Sequence, residues 1–166
     1  MLSLEQIYQY NLTLLNKAEI PFEQWEHEPI LDFETDARIA KTLGWSAAPT
    51  KSLFLKLKGG NYCVFLTHRD QRLDAKLIKH VIGKRPAIGS DTEMTDVTGC
   101  VPGALCPFGL PSEIPLIVDP LLTTFQDIMY TPGKPEITIA FSGAALPNLL
   151  EHLENQTMWL PDTSIK

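Results

Sequence analysis

The sequence predicts an α+β domain built around a mainly β centre. Three observations carry that expectation. Strand and helix patterns follow one another without regular alternation, which argues against a βαβ layout. A Gly59-Gly60 pair separates two apolar, strand-like runs. Several helical stretches are bounded by capping residues rather than fading into loops. The chain has 166 residues, the length of one ordinary domain with room for a real core, so residues 1–166 are read as a single unit.

Taken in order, Ser3 and Gln6 form a capping box, and Leu4, Ile7, Leu12 and Leu15 recur at helical spacing behind it. Residues 20–27 read as a short strand. A second helix is expected over residues 35–43, starting near Thr35 or Asp36 and closed by Gly44 in the left-handed conformation. In residues 52–58, SLFLKLK, the leucines alternate with Phe54, Lys56 and Lys58. The two glycines then supply the positive φ angles of a tight turn, and residues 61–67 return as the partner strand. Asp74 caps a helix that Gly83 ends, with Leu77, Ile78, Val81 and Ile82 on its apolar face. Asp91 is expected to cap another short helix closed by Gly99. Residues 114–118 and 136–141 read as strands, with a shorter one near 125–130. Ser142 is expected to cap the last helix, with Pro147 in its first turn.

Composition excludes several classes. No apolar run approaches the roughly 20 residues that span a bilayer. The start, MLSLEQIYQY, lacks the basic-then-apolar layout of a secretion signal, so a cytoplasmic protein with no membrane partner is expected. Three cysteines without such a signal argue against a disulfide framework. A net charge of −6 opposes wide, non-specific binding to duplex nucleic acid, where cations supply most of the affinity. It is less opposed to gripping one single-stranded end.

The familiar catalytic arrays are missing. There is no G-x-S-x-G elbow, and TPGKPE around Gly133-Lys134 lacks the spacing and hydroxyl of a phosphate loop. His27, His68, His80 and His152 form no metal-ligand array, and Cys100 with Cys106 is too sparse for structural zinc. No metal and no cofactor are expected. A thiolate nucleophile at Cys106 has no basic neighbour in sequence to activate it. Two features are left. Lys51 enters the SLFLKLK strand, where pattern alone makes it a solvated edge lysine. Residues 99–110, GCVPGALCPFGL, pack three glycines and two prolines into a dozen positions. Such backbone can approach a ligand closely, although a tight crossover loop has the same composition.

Those two features resemble the YbaK/ProX group, homologous to the editing domain of bacterial prolyl-tRNA synthetase. The resemblance rests on TKSLFLKLKGGNYCVFL at 50–66, RLDAKLIKHVIG at 72–83, TGCVPGALCPFGL at 98–110, PLIVDPLL at 115–122 and ITIAFS at 137–142. It implies a curved, mixed β-sheet core with flanking helices. It also implies hydrolysis of the ester joining a wrong amino acid to the 3′-terminal adenosine of a tRNA, with a synthetase as a further partner left open. The family lysine falls on Lys51 as the catalytic residue. The substrate-binding positions fall on Thr50, Gly99, Pro102, Gly103, Ala104, Cys106, Pro107 and Phe108.

Members specialised for alanine carry His-Pro and then Asn where this chain has Thr131-Pro132 and Pro135. The loop and the VDPLL stretch are closer to the YeaK-type branch, which implies serine or threonine as the amino acid, with alanine and cysteine open. Two other readings stand beside this one. The fold could serve as an inactive module that binds tRNA or a nucleotide, or Cys106 could be the nucleophile of a thiol-dependent hydrolase.

Overall fold

The computed structural model describes residues 1–161. Helix α1 (Leu4–Lys17) opens with the reciprocal Ser3–Gln6 capping box, and its apolar stripe buries Ile7, Leu14 and Leu15. Strand β1 (Phe22–Glu26) follows, and then α2 (Phe33–Leu43). That helix begins two residues before the expected Thr35, because Asp32 accepts the Thr35 N–H at 2.7 Å and is the cap. Gly44 closes it at φ +68°, as its position in the sequence requires.

Strands β2 (Ala48–Leu57) and β3 (Tyr62–His68) form the expected hairpin. Helix α3 (Ala75–Ile82) carries both expected caps, Asp74 and Gly83. Strand β4 (Pro86–Ile88) and helix α4 (Asp91–Thr98) come next. Asp91 is not the cap of α4. Ser90 fills that role in a second capping box with Glu93. Strands β5 (Leu116–Val118), β6 (Asp127–Tyr130) and β7 (Ile137–Ser142) follow, with a 3-10 turn, Pro120–Thr124, between the first two. Ser142 makes no side-chain capping bond; it leads into a short 3-10 turn, and α5 (Leu146–Glu151) starts after it with Pro147 in its first turn. A short strand β8 (Thr157–Trp159) completes the fold.

The eight strands form one mixed sheet in the order β1-β7-β6-β2-β3-β5-β8, with β4 on the side of β2. Side chains alternate across it, as a pleated strand dictates. Phe54, Val64, Leu66, Leu116, Ile128 and Ile139 pack on one face with α1. Leu55, Leu57, Cys63, Phe65 and Ile117 pack on the other with Ile78 of α3. The helices flank the sheet on both sides.

One irregularity positions the site. Along the edge of β2 away from β3, β6 pairs in parallel at Ala48 and Pro49 only, while β4 pairs antiparallel from Leu55 to Leu57. Between those stretches the edge is split. The Arg69 N–H bonds to the Pro49 C=O and the Leu57 N–H to the Asn61 C=O, which fixes the phase of the β2–β3 ladder. By alternation, Thr50, Ser52 and Phe54 turn their backbone groups away from β3 and toward the split. The Phe54 C=O is taken by Gly89, whose N–H donates at 2.8 Å.

Candidate active site

A cavity of about 420 Å³ lies at the split edge. Its walls come from separate elements: residues 49–54 of β2, the segment from Ile30 to Asp36 at the start of α2, and Arg69 after β3. The remainder comes from Ile88 at the end of β4 and Gly89 after it, Asp91 and Met94 of α4, the loop at 103–105, residues 129–131 and Thr138 of β7. A space of this size, apolar with a few fixed polar groups, suits a small ligand.

Lys51 and the loop residues Gly103 and Ala104 line this one cavity, and Thr50 lines it with them. The Lys51 ammonium donates to the Gln71 C=O, which leaves two of its three N–H donors for a ligand. Thr50 Oγ1 donates to the Met129 C=O at 2.7 Å and pins β2 to β6 where the split begins. Gly103 shows why glycine stands there. Its φ is +86°, and a Cβ would lie 2.3 Å from the Leu31 carbonyl oxygen, so a side chain would push the loop off the start of α2. The Ala104 N–H is not free for a ligand, because it donates to the Val101 C=O at 2.9 Å.

Gly99, Pro102, Cys106, Pro107 and Phe108 do not line the cavity. Gly99 ends α4. Pro102 is exposed on the turn, and Pro107 is buried. Cys106 and Phe108 are each 1% exposed and belong to the core. They are held by Asn11 of α1, which is itself fully buried. Its Nδ2 donates to the Phe108 C=O at 3.0 Å and the Ile7 C=O at 2.8 Å, and its Oδ1 accepts from Tyr130 Oη at 2.8 Å. Burial pushes the Cys106 thiol far above its ordinary range, and the Sγ–H bonds to the Phe108 C=O. Its thiolate is therefore disfavoured, and a nucleophile needs the thiolate.

Other residues complete the cavity. Arg69 is held by Asp36 at 2.7 Å and lies 6.0 Å from the centre of the Phe33 ring, which is 65% exposed at the rim. Thr138 is buried on the cavity floor. His27 Nδ1 meets the Glu28 C=O at 2.7 Å and must be the protonated nitrogen there, so in the neutral ring Nε2 accepts from Thr138 Oγ1 at 2.8 Å. That leaves the lone pairs of Thr138 Oγ1 free to accept from a ligand. Register relates this hydroxyl to the lysine. Pro49, Met129 and Ala140 align across β2, β6 and β7. Lys51 and Thr138 each lie two residues from that row in the same direction, hence on the same face, on either side of the split. Nothing in the local sequence around His27, Phe33 or Thr138 marks them, since only the tertiary fold brings them together. Of the positions at which the chain departs from the alanine-specialised pattern, Thr131 lines the cavity. Pro135 does not, and its C=O instead accepts the Ile30 N–H at 2.9 Å.

The fold and cavity thus define a small-ligand domain in which one lysine faces a glycine turn. Among the described residues, no group of three or more His, Cys, Asp or Glu could hold a metal. The chain belongs to the aminoacyl-tRNA editing domain family, whose model matches residues 28–149 and so includes every residue of the cavity. It is 32% identical over 143 residues to the multifunctional Ser/Thr-tRNA deacylase ProXp-y of Escherichia coli (strain K12), covering 82% of this chain and 84% of that one. It is 30% identical over 120 residues to the proline–tRNA ligase of Trichlorobacter lovleyi, a match to 71% of this chain and 20% of that enzyme. A solved structure described as a candidate trans-editing enzyme for prolyl-tRNA synthetase superposes with a TM-score of 0.71 at 20% identity, covering 98% of this chain and 99% of that one. At that identity the likeness speaks for the fold.

Proposed function

We propose that this protein is an editing deacylase acting in trans on mischarged tRNA, with serine or threonine as the preferred amino acid. The observation that carries this reading is the shared cavity: Lys51 and the Gly103–Ala104 turn face one space large enough for a small aminoacyl group and its ribose. Lys51 holds the acyl carbonyl or the adjoining phosphate, and as charge grows on the carbonyl oxygen its ammonium stabilises it. The free backbone groups of the turn and of the split β2 edge orient the amino acid and the attacking water. Water adds to the carbonyl carbon, the bond to the ribose oxygen breaks, and that oxygen takes up a proton. A ribose hydroxyl of the substrate itself relays it.

Hydroxyls mark the amino-acid side of the cavity. Thr50, Thr131 and Thr138 line it beside the apolar Met129 and Leu105. A site built to hydrogen-bond a substrate hydroxyl rejects analogues lacking it, because its own polar groups would be left unpaired. Phe33 offers a ring face for the terminal adenine, with Arg69 fixed against it. Neither Cys106 nor a metal has a part in this scheme. The setting is the cytoplasm, where charged tRNA is found free or on its synthetase; no helix among the described residues is long and apolar enough to cross a membrane.

The test is a deacylation screen across Ser-, Thr-, Ala- and Cys-mischarged tRNAs. Seryl and threonyl esters are expected to turn over fastest. Tight tRNA binding with no turnover of any ester would make the protein an inactive binding module instead.

A further inference from the structure

Residues 51–85 carry nine of the chain's 14 lysines and arginines but only two of its 20 aspartates and glutamates, a net +7 in a chain of −6. The remainder carries −13. A polyanion meets repulsion over most of this molecule and attraction on the wing formed by β2, β3, α3 and the approach to β4.

Within that wing, Lys58, Lys79, Lys84 and Arg85 surround one hollow of about 290 Å³. All four are exposed. Lys56 and Arg69 are engaged by Glu93 and Asp36, at 3.0 and 2.7 Å, whereas none of these four has a carboxylate partner among the described residues. Backbone bonds hold the cluster in place. The Lys58 N–H donates to the Arg85 C=O at 3.0 Å, and the Gly83 N–H to the Lys79 C=O at 2.8 Å. Cations at the end of α3 complement its dipole, which accounts for Lys79 and Lys84. It does not account for Lys58 at the end of β2, or for Arg85, which precedes β4.

The cluster also sits at a useful distance. Strand β4 runs from beside Arg85 to Ile88, and Ile88 lines the cavity. Three residues of strand span about 10 Å. A nucleic-acid end seated in the cavity and leaving along β4 brings its following phosphates to the four cations within that span.

We infer that Lys58, Lys79, Lys84 and Arg85 form the docking surface for the sugar–phosphate backbone of the tRNA acceptor end, placed to hold the molecule while its terminal nucleotide occupies the cavity. This rests on the deacylase reading and adds to it where the carrier, rather than the amino acid, is gripped. It also explains how a chain of net −6 meets tRNA.

The experiment compares wild type with a K58E/K84E/R85E variant and with K17E, an exposed lysine outside the wing. Two substrates are used, seryl-tRNA mischarged on a non-cognate tRNA and serine esterified to adenosine, which has no phosphates. The triple variant is expected to lose about 10- to 1000-fold in kcat/KM on the tRNA. Its salt dependence should flatten by about one unit of log–log slope per lost phosphate contact. Seryl-adenosine turnover and the K17E variant should match wild type. Binding of uncharged tRNA, followed by fluorescence anisotropy, should weaken in parallel. Should K58E/K84E/R85E fold poorly, the alanine triple is used, with the same signs and smaller effects. Equal losses on both substrates, an unchanged salt slope, or wild-type protein that does not bind tRNA would overturn the docking surface. Wild type that binds tRNA through these residues but hydrolyses neither ester would retire the deacylase reading alone.

Discussion

The tip and the base of the glycine–proline loop differ more than their sequence suggests. Residues 103–105 face the cavity, with a turn that spends the Ala104 N–H internally and a glycine pressed against the Leu31 carbonyl. Residues 106–108 are core, tied by Asn11 to α1 and, through the hydroxyl of Tyr130, to β6. The comparison teaches that a loop can be exact at its tip only because its base is not a loop at all. The cavity-facing part is short, and its position is set by a buried polar hub that must be fully satisfied to be stable.

The sharpest way to test that division is to strike each half separately. On the cavity side, Lys51→Ala should lower kcat/KM on a mischarged tRNA by about 10²- to 10³-fold, some 3–4 kcal/mol of transition-state stabilisation. Its thermal midpoint should stay near that of wild type, since the ammonium bonds only to the Gln71 carbonyl. A loss of activity matched by a loss of folding would place Lys51 with the structural half.

On the core side, Asn11→Ala removes the acceptor of the Tyr130 hydroxyl and one of the two donors to the Phe108 carbonyl, whose remaining donor is the Cys106 thiol; the Ile7 carbonyl keeps its helical bond. A buried group left unpaired costs about 1–3 kcal/mol, so the variant should lose about 2 kcal/mol, readable as a lower urea midpoint. Activity per folded molecule should fall as well, because the turn above the hub loses its anchor. Retained stability would show that water replaces the amide and that the hub is dispensable.

Gly103→Ala tests the junction. The added Cβ meets the Leu31 carbonyl, and φ of +86° is strained for alanine. About 1–3 kcal/mol of stability is expected to go. KM should rise about tenfold with kcat changed less, because the loop must draw back from the start of α2. A kcat-only effect in stopped-flow traces would instead put Gly103 in the chemical step.

How far the sequence reveals this division depends on the range over which each feature is determined. Helix α3 is legible at both ends because Asp74 and Gly83 act locally. The start of α2 is harder to place because Asp32, Thr35 and Asp36 are all good caps within five residues, and the cap is the one, Asp32, whose carboxylate accepts the Thr35 N–H. Strands β4 and β8 are too short for any periodicity to show; their pairing with the edges of β2 and β5 creates them. Lys51 and the glycine turn can be named from the family resemblance. Cys106, Pro107 and Phe108 cannot be separated from the turn, since nothing in their spacing distinguishes a buried apolar residue from one that touches a ligand. Phe33 and Thr138 are invisible for the opposite reason: each is ordinary in its own element and becomes part of the cavity only when the sheet splits.

Cys106 gives the smallest expected effect and the cleanest discrimination between the halves. Cys106→Ala removes a thiol that bonds weakly to the Phe108 carbonyl and sits against Asn11, so about 1 kcal/mol of stability is expected to be lost. Deacylation should be unchanged, because the sulfur lies outside the cavity. The thiol's own titration gives a second readout. Burial holds Cys106 and Cys63 as protonated thiols, with Cys63 pushed up to about 12, so at pH 8 both lie well below their titration range. Iodoacetamide at that pH should label none of the three buried cysteines in the native protein and all of them in denaturant. Native-state labelling at Cys106 that abolishes activity, together with an inactive but stably folded Cys106→Ala, would move this residue across the divide and make the enzyme a thiol hydrolase.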